Sequence, residues 1–219
     1  MIAWTRKPVT WTVLGILWLA VVVAGMGALM DYSSRPGIPA AAPHQWPSGS
    51  RLVRDEGRPT LVMLAHPRCD CTKASLSELA ELLARTRHRP SVYVVFVKPG
   101  AATANWEQTS LWKSAEAIPG VRVMRDDEGV EARRFSVQTS GQILLYDAQG
   151  TLVYAGGTTA ARGKTGESFG RTAILAALDT RHPQSPSSPV YGCSLFGPAD
   201  EAGDSHAAHT DHAHDPSRR

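Results

Sequence analysis

The 219-residue sequence predicts an α/β domain, a mixed sheet flanked by helices, carried behind an N-terminal transmembrane helix. Three observations predict it. Val9 to Met30 is an uncharged, largely apolar run of 22 residues. Two short apolar runs, 60–65 and 91–98, bracket a segment with helical apolar spacing, as in a parallel strand–helix–strand unit. Later, two more apolar runs flank the turn sequence Asp147 to Gly150, which is hairpin chemistry.

A helix over the first run would rise about 33 Å, enough for a hydrocarbon core of about 30 Å. Arg6 and Lys7 precede it, so the positive-inside bias puts the N-terminus in the cytoplasm and everything after Asp31 outside. A cleaved signal peptide is the competing reading, although its apolar stretch normally runs about 7–15 residues. Both export the same domain. In a bacterium the anchored form would be a single-pass protein of the inner (cytoplasmic) membrane with its C-terminal domain in the periplasm, where disulfides persist.

Residues 1–30 therefore read as the anchor and 31–50 (DYSSRPGIPAAAPHQWPSGS) as a Pro/Ala-rich linker of a composition that suits a spacer. The domain is expected over 51–182. Residues 183–219 lack an apolar period and read as a mostly disordered, His-rich tail, with an apolar docking segment near 190–196.

Within the domain, strands are expected at Thr60–Ala65 and Ser91–Lys98. Between them Leu76, Leu79, Leu82 and Leu83 share one face of a helix over 70–85. A helix carrying Trp106, Leu111 and Trp112 follows, then a short strand at 121–124 and a short helix near 130–135. The hairpin pairs 142–146 with 151–155, and a last helix over 171–179 presents Ile174, Leu175 and Leu178. A parallel unit followed by an antiparallel hairpin makes the sheet mixed.

Charge narrows the function. The formal net charge is +3, and with Arg6 and Lys7 set aside the remaining basic and acidic residues nearly balance. No clustered basic patch of a nucleic-acid binder survives, so no nucleic-acid partner is expected. Three cysteines, Cys69, Cys71 and Cys193, are too few for a disulfide framework and lack the spacing of a structural zinc site. They are candidates for chemistry.

The first strand hands over to the first helix through His66-Pro67-Arg68-Cys69-Asp70-Cys71-Thr72. A thiol there faces unpaired backbone N–H groups and the positive end of the helix dipole, while Arg68 and His66 add positive charge and Asp70 opposes. A lowered thiol pKa follows. Two cysteines one residue apart can close a disulfide only if the backbone bends, because an extended pair would set their Cα atoms about 7 Å apart. Such a bond would be strained and easily exchanged, as a redox catalyst requires.

The order of elements around this motif resembles the thioredoxin-like superfamily, specifically its membrane-tethered TlpA/ResA-type members. Val137 to Gly150 (VQTSGQILLYDAQG) resembles that family's strand motif. The segments HPRCDCTKASL, TSGQILLYDAQG, ARGKTGESFGR and VYGCSLF together are similar to a bacterial group labelled RedB, over about residues 51–196. The resemblance implies a dithiol redox site whose substrate face includes Thr139 and Ser140. Two departures stand out. The family has CxxC where this chain has Arg68 and Cys71 with Cys69 between them, and Ser140 stands where the family has a cis-proline.

Cys193 lies in an apolar island (VYGCSLF) and could resolve a bond to Cys69 or Cys71, pair between molecules, add a soft ligand or simply pack. His206, His209, His212 and His214 place four imidazoles in nine residues, donors suited to copper, nickel or zinc. Gly157 to Thr165 imitates a phosphate loop but has the wrong glycine spacing; a polar loop bordering the active face is the better reading, with Arg162 toward substrate. Asp126 to Glu128 read as a helix cap.

The leading expectation is a membrane-anchored, extracytoplasmic thiol–disulfide oxidoreductase acting on protein thiols and disulfides through the Cys69/Cys71 dithiol, with Cys69 attacking and no cofactor required. The alternative is a copper-binding or copper-delivery module built from the CxC thiols and the His-rich tail. A peroxidase is a third.

Overall fold

The computed structural model describes residues 6–180 and 187–196. The chain divides into two units at Arg35/Pro36. In the first, α1 (Arg6–Ser34) is a continuous helix whose stretch Thr10–Ser34 is long and apolar enough to cross a membrane. It runs four residues past the expected end of the anchor, and an Asp31–Arg35 ion pair closes its last turn.

The second unit is a five-stranded sheet with strand order β3-β2-β1-β4-β5. Its elements are β1 (Thr60–Ala65), α2 (Asp70–Arg85), β2 (Ser91–Lys98), α3 (Ser110–Glu116), β3 (Val121–Asp127), α4 (Val130–Arg134), β4 (Gln142–Tyr146), β5 (Leu152–Gly156) and α5 (Phe169–Thr180). β1, β2 and β3 run parallel; β4 is antiparallel to β1 and β5 to β4. Every residue of β1 is buried, which explains its unbroken apolar character: a central strand is covered on both faces. The fold class is the one the sequence predicts.

α2 and α5 seal one face. Leu79 and Leu82 of α2 and Ile174 and Leu178 of α5 pack with Leu61, Met63 and Ile143, and α3 extends this layer through Leu111 and Ala115. Arg171 of α5 is buried and donates to Glu78 of α2 at 2.7 Å and to Glu81 at 3.0 Å, tying the two helices. The other face carries Val62, Leu64, Val95, Leu144 and Tyr146, and among the described residues only the short α4 is helical there. Asp126 caps α4, its carboxylate accepting from the Glu131 and Ala132 N–H groups at 2.8 Å each. Burial pushes that carboxyl up, against these two bonds.

Two features differ from the sequence expectation. Trp106 precedes α3 rather than belonging to it, because the Thr109 side chain caps the helix by accepting from the Leu111 N–H and residue 105 turns the chain with a positive φ. Residues 36–50 form no helix or strand of a named sheet, yet they lie against the domain. Trp46 meets Phe135 and Tyr146 edge-on at 5.2 Å each. Their backbone is satisfied by the domain: Leu152 N–H donates to His44 O, Trp46 N–H to Gly150 O, and the Tyr146 hydroxyl to Pro43 O.

Candidate redox site

β1 ends at Ala65, and the chain turns through His66, Pro67 and Arg68 before Cys69 opens α2 as its extended N-cap residue. Four contacts hold the turn. The Ser140 hydroxyl accepts from the His66 N–H at 2.8 Å and lies 2.8 Å from the Thr72 hydroxyl. The Thr109 hydroxyl donates to Pro67 O at 2.7 Å. His66 Nδ1 accepts from the Arg68 N–H at 3.2 Å. No cis peptide bond occurs among the described residues, so Ser140 is trans.

Above this turn lies an extended strap, residues 187–196. It runs antiparallel to 138–140: Ser140 N–H donates to Cys193 O and Leu195 N–H to Gln138 O, both at 2.8 Å, with Thr139 and Ser194 bridged between them. Gly37 N–H donates to Val190 O at 2.7 Å, and Arg162 Nη1 to Gly192 O at 2.6 Å. Gly192 passes so close to the sheet end that a Cβ there would sit 1.9 Å from Ser140 O. Only glycine fits.

The strap brings Cys193 Sγ to 2.7 Å from Cys69 Sγ. Cys71, in the first turn of α2, completes a cluster in which all three sulfurs lie within 4.8 Å of one another. All three are free thiols, Cys69 buried and the other two half-buried. The hydrogen-bonded contact with Cys193 above all lowers the Cys69 thiol from 9.0 to about 5; burial opposes it, and the Cys193 backbone and Thr72 reinforce it. The same hydrogen bond, then burial, pushes Cys193 up. Of the pair, Cys69 is the thiol whose ionised form is favoured, at a helix N-terminus that stabilises negative charge. Burial first, then the charge on Cys69, pushes Cys71 up, with Arg162 opposing.

The residues singled out from sequence fall into two groups. Cys69, Cys71, Cys193, Ser140 and Arg162 converge on the sulfur cluster. His66 and Arg68 pack on Trp106: the imidazole stands edge-on to the ring with centroids 5.4 Å apart, and the guanidinium lies over the same ring at 4.7 Å. The Thr139 hydroxyl donates to Ile38 O, holding residues 36–40 beside the strap. His206, His209, His212 and His214 lie outside the described residues. Sequence reasoning missed Thr72, which lowers the Cys69 thiol and braces Ser140; its position directly after the CxC pair was the available signal.

No protein-family model matches the chain, and no curated protein matches it significantly in sequence. Solved structures do match in shape. An uncharacterized conserved protein from Geobacillus kaustophilus superposes with a TM-score of 0.51 at 20% identity, over 75% of this chain and 94% of that one. The five-stranded mixed sheet flanked by helices is a fold shared with that protein. A hypothetical protein from Sinorhizobium meliloti matches at a TM-score of 0.48 and 21% identity, over 74% and 93% of the two chains. The pneumococcal exposed lipoprotein thioredoxin from Streptococcus pneumoniae follows at 0.40 and 17%, over 63% and 98%. These are likenesses of fold.

Proposed function

We propose that the chain is a membrane-anchored, extracytoplasmic thiol–disulfide oxidoreductase in which Cys69 attacks and Cys193 resolves. The observation that carries this reading is the Cys69–Cys193 pair at the head of α2, the two sulfurs 2.7 Å apart and the Cys69 thiol the one held low. The sequence alone favoured Cys71 as the resolving thiol; the distance supports Cys193. The Cys69 thiolate attacks one sulfur of a partner disulfide, forming a mixed disulfide and releasing the partner's other cysteine as a thiolate. Cys193, giving up its proton to solvent, then attacks the Cys69 sulfur, so the partner's first cysteine leaves as a thiolate and the Cys69–Cys193 bond forms. The partner disulfide gains two electrons and this pair loses two; the reverse sequence makes the protein an oxidant.

The uncharged stretch of α1 from Val9 to Met30, behind Arg6 and Lys7, supports single-pass anchoring in the cytoplasmic membrane with the domain in the periplasm. The test is a quench-and-map experiment on the full chain with a small aromatic disulfide. Cys69→Ser should abolish exchange, and Cys193→Ser should trap a mixed disulfide on Cys69. Full exchange by Cys69→Ser would overturn the assignment.

A second reading, a soft-metal site, is favoured by the sulfur cluster itself. Three sulfurs within 4.8 Å suit Cu(I), which would displace their protons on binding, and closing the Cys69–Cys193 disulfide would withdraw two of them. Competition for Cu(I) against a chromophoric chelator tests it: Cys71→Ser should weaken binding about tenfold or more, and an unchanged affinity would leave the cluster without a metal role.

A further inference from the structure

The near balance of charge along the chain conceals a local excess at the end of the sheet remote from the cysteines. Strands β1, β2 and β3 start there, and Arg58, Arg89 and Arg122 line one cavity of about 470 Å³ with a single carboxylate, Asp55. The three arginines come from separate segments: the approach to β1, the turn between α2 and β2, and the start of the edge strand β3. An adjoining cavity of about 270 Å³ shares Arg58 and Arg89 and adds Arg87 and His88.

Elsewhere in the domain Arg51, Arg85, Arg125, Arg134 and Arg171 each meet a carboxylate. Around this cavity the pattern breaks. Among the described residues Arg58 pairs with Asp55 at 2.7 Å, whereas Arg87, Arg89 and Arg122 meet no carboxylate. Arg122 is nonetheless held in place: its guanidinium lies 4.1 Å over the Tyr93 ring and donates to the Ser91 hydroxyl. Arg58 is held by Asp55, whose carboxyl that same hydrogen bond keeps below its ordinary range. Two guanidiniums are therefore oriented in advance, which removes much of the side-chain ordering that usually weakens exposed charge pairs. Leu83 and Val92, both buried, lend the cavity an apolar wall.

We infer that this cavity is a binding site for a phosphate monoester, its phosphoryl oxygens taken by Arg58, Arg89 and Arg122 and its organic part laid against the apolar wall. Guanidiniums from three segments can each offer paired N–H donors to a different edge of a tetrahedral dianion, whereas a planar carboxylate is satisfied by one such fork. The site is independent of the redox reading, because the length of β1, about 17 Å, separates it from the turn that carries the thiols. A soluble ester and the headgroup of phosphatidic acid present the same phosphoryl chemistry, and the experiment separates them.

The test is calorimetric titration of the full chain in maltoside micelles with phenyl phosphate, with benzoate as its carboxylate counterpart. Phenyl phosphate should bind at one site, about tenfold or more tighter than benzoate. Arg89→Gln and Arg122→Gln should each weaken it about tenfold, while Arg133→Gln, exposed on α4 beyond the other end of β3, should leave it unchanged. Cys69 alkylation at the wild-type rate in the first two variants shows that the domain is folded, so that lost binding reads the cavity. Short-chain phosphatidic acid that competes with phenyl phosphate marks a lipid headgroup as the source; a soluble ester is marked when it does not compete, and the site stands in either case. Absence of phenyl phosphate binding, or equal loss in all three variants, overturns the site and leaves the redox reading untouched.

Discussion

The two faces of the sheet are sealed by different materials. On one, α2, α3 and α5 lie over Leu61, Met63 and Ile143. On the other, over Val62, Leu64, Leu144 and Tyr146, the cover is α4, the irregular segment 36–54 and the strap. A helix satisfies its own backbone and needs only side chains to dock, whereas irregular chain must borrow its hydrogen bonds from whatever it covers. The second face shows that borrowing throughout: Ala40 N–H takes Gln142 Oε1, Leu152 N–H takes His44 O, and Ser140 N–H takes Cys193 O. Cover held by borrowed bonds can open locally while the sheet beneath persists. The reactive thiol lies where that cover ends.

Mutations on the two faces should therefore fail differently. The largest effect is expected on the helical face: Arg171→Met leaves Glu78 buried without its cation and should cost about 3–5 kcal/mol, read as a cooperative loss of the whole domain in denaturant titration. If melting of α5 alone is seen instead, the helical face is less unified than its packing implies. On the irregular face, Trp46→Ala removes two edge-on ring contacts and should cost about 2 kcal/mol. Its mark should be proteolysis within 36–50 before the domain unfolds; cleavage only on global unfolding would erase the contrast between the faces.

Leu195→Ala should barely move Tm yet raise the rate of Cys69 alkylation, because the strap opens locally while the sheet persists. An unchanged alkylation rate would show that the strap does not gate the thiol. The smallest effect concerns protons. With the Cys69 thiol lowered to about 5, protonation removes the nucleophile, so alkylation should be flat between about pH 7 and 8 and fall about tenfold per unit below about pH 5. Cys193→Ala removes the largest cause of the lowering and should shift this inflection upward. An inflection above pH 8 in the wild type would contradict the assignment of charge to Cys69.

The helical face was legible because helices and buried strands write their periods into the chain. Leu76, Leu79, Leu82 and Leu83 recur at helical spacing, and β1 and β2 are unbroken apolar runs; the elements drawn from them match the structure to within a few residues at their ends. Of the site, the cysteines and the helix start could be read locally. The cover of the second face could not. Residues 36–50 have the composition of a spacer, and their contacts with Tyr146 and Leu152 depend on partners about a hundred residues away. Trp106 was drawn into a helix because aromatic spacing cannot register the Thr109 cap that starts α3 later.

By itself the sequence determined what propagates locally: an uncharged helix long enough for a bilayer, the alternation of strands and helices, and a thiol at a helix N-terminus, each a consequence of neighbours within a few turns. Only the tertiary structure decided which sulfur faces Cys69. That choice comes from bringing residue 193 beside residues 69 and 140, and a meeting across so many residues is fixed by packing and by glycine's missing side chain, which no local period encodes.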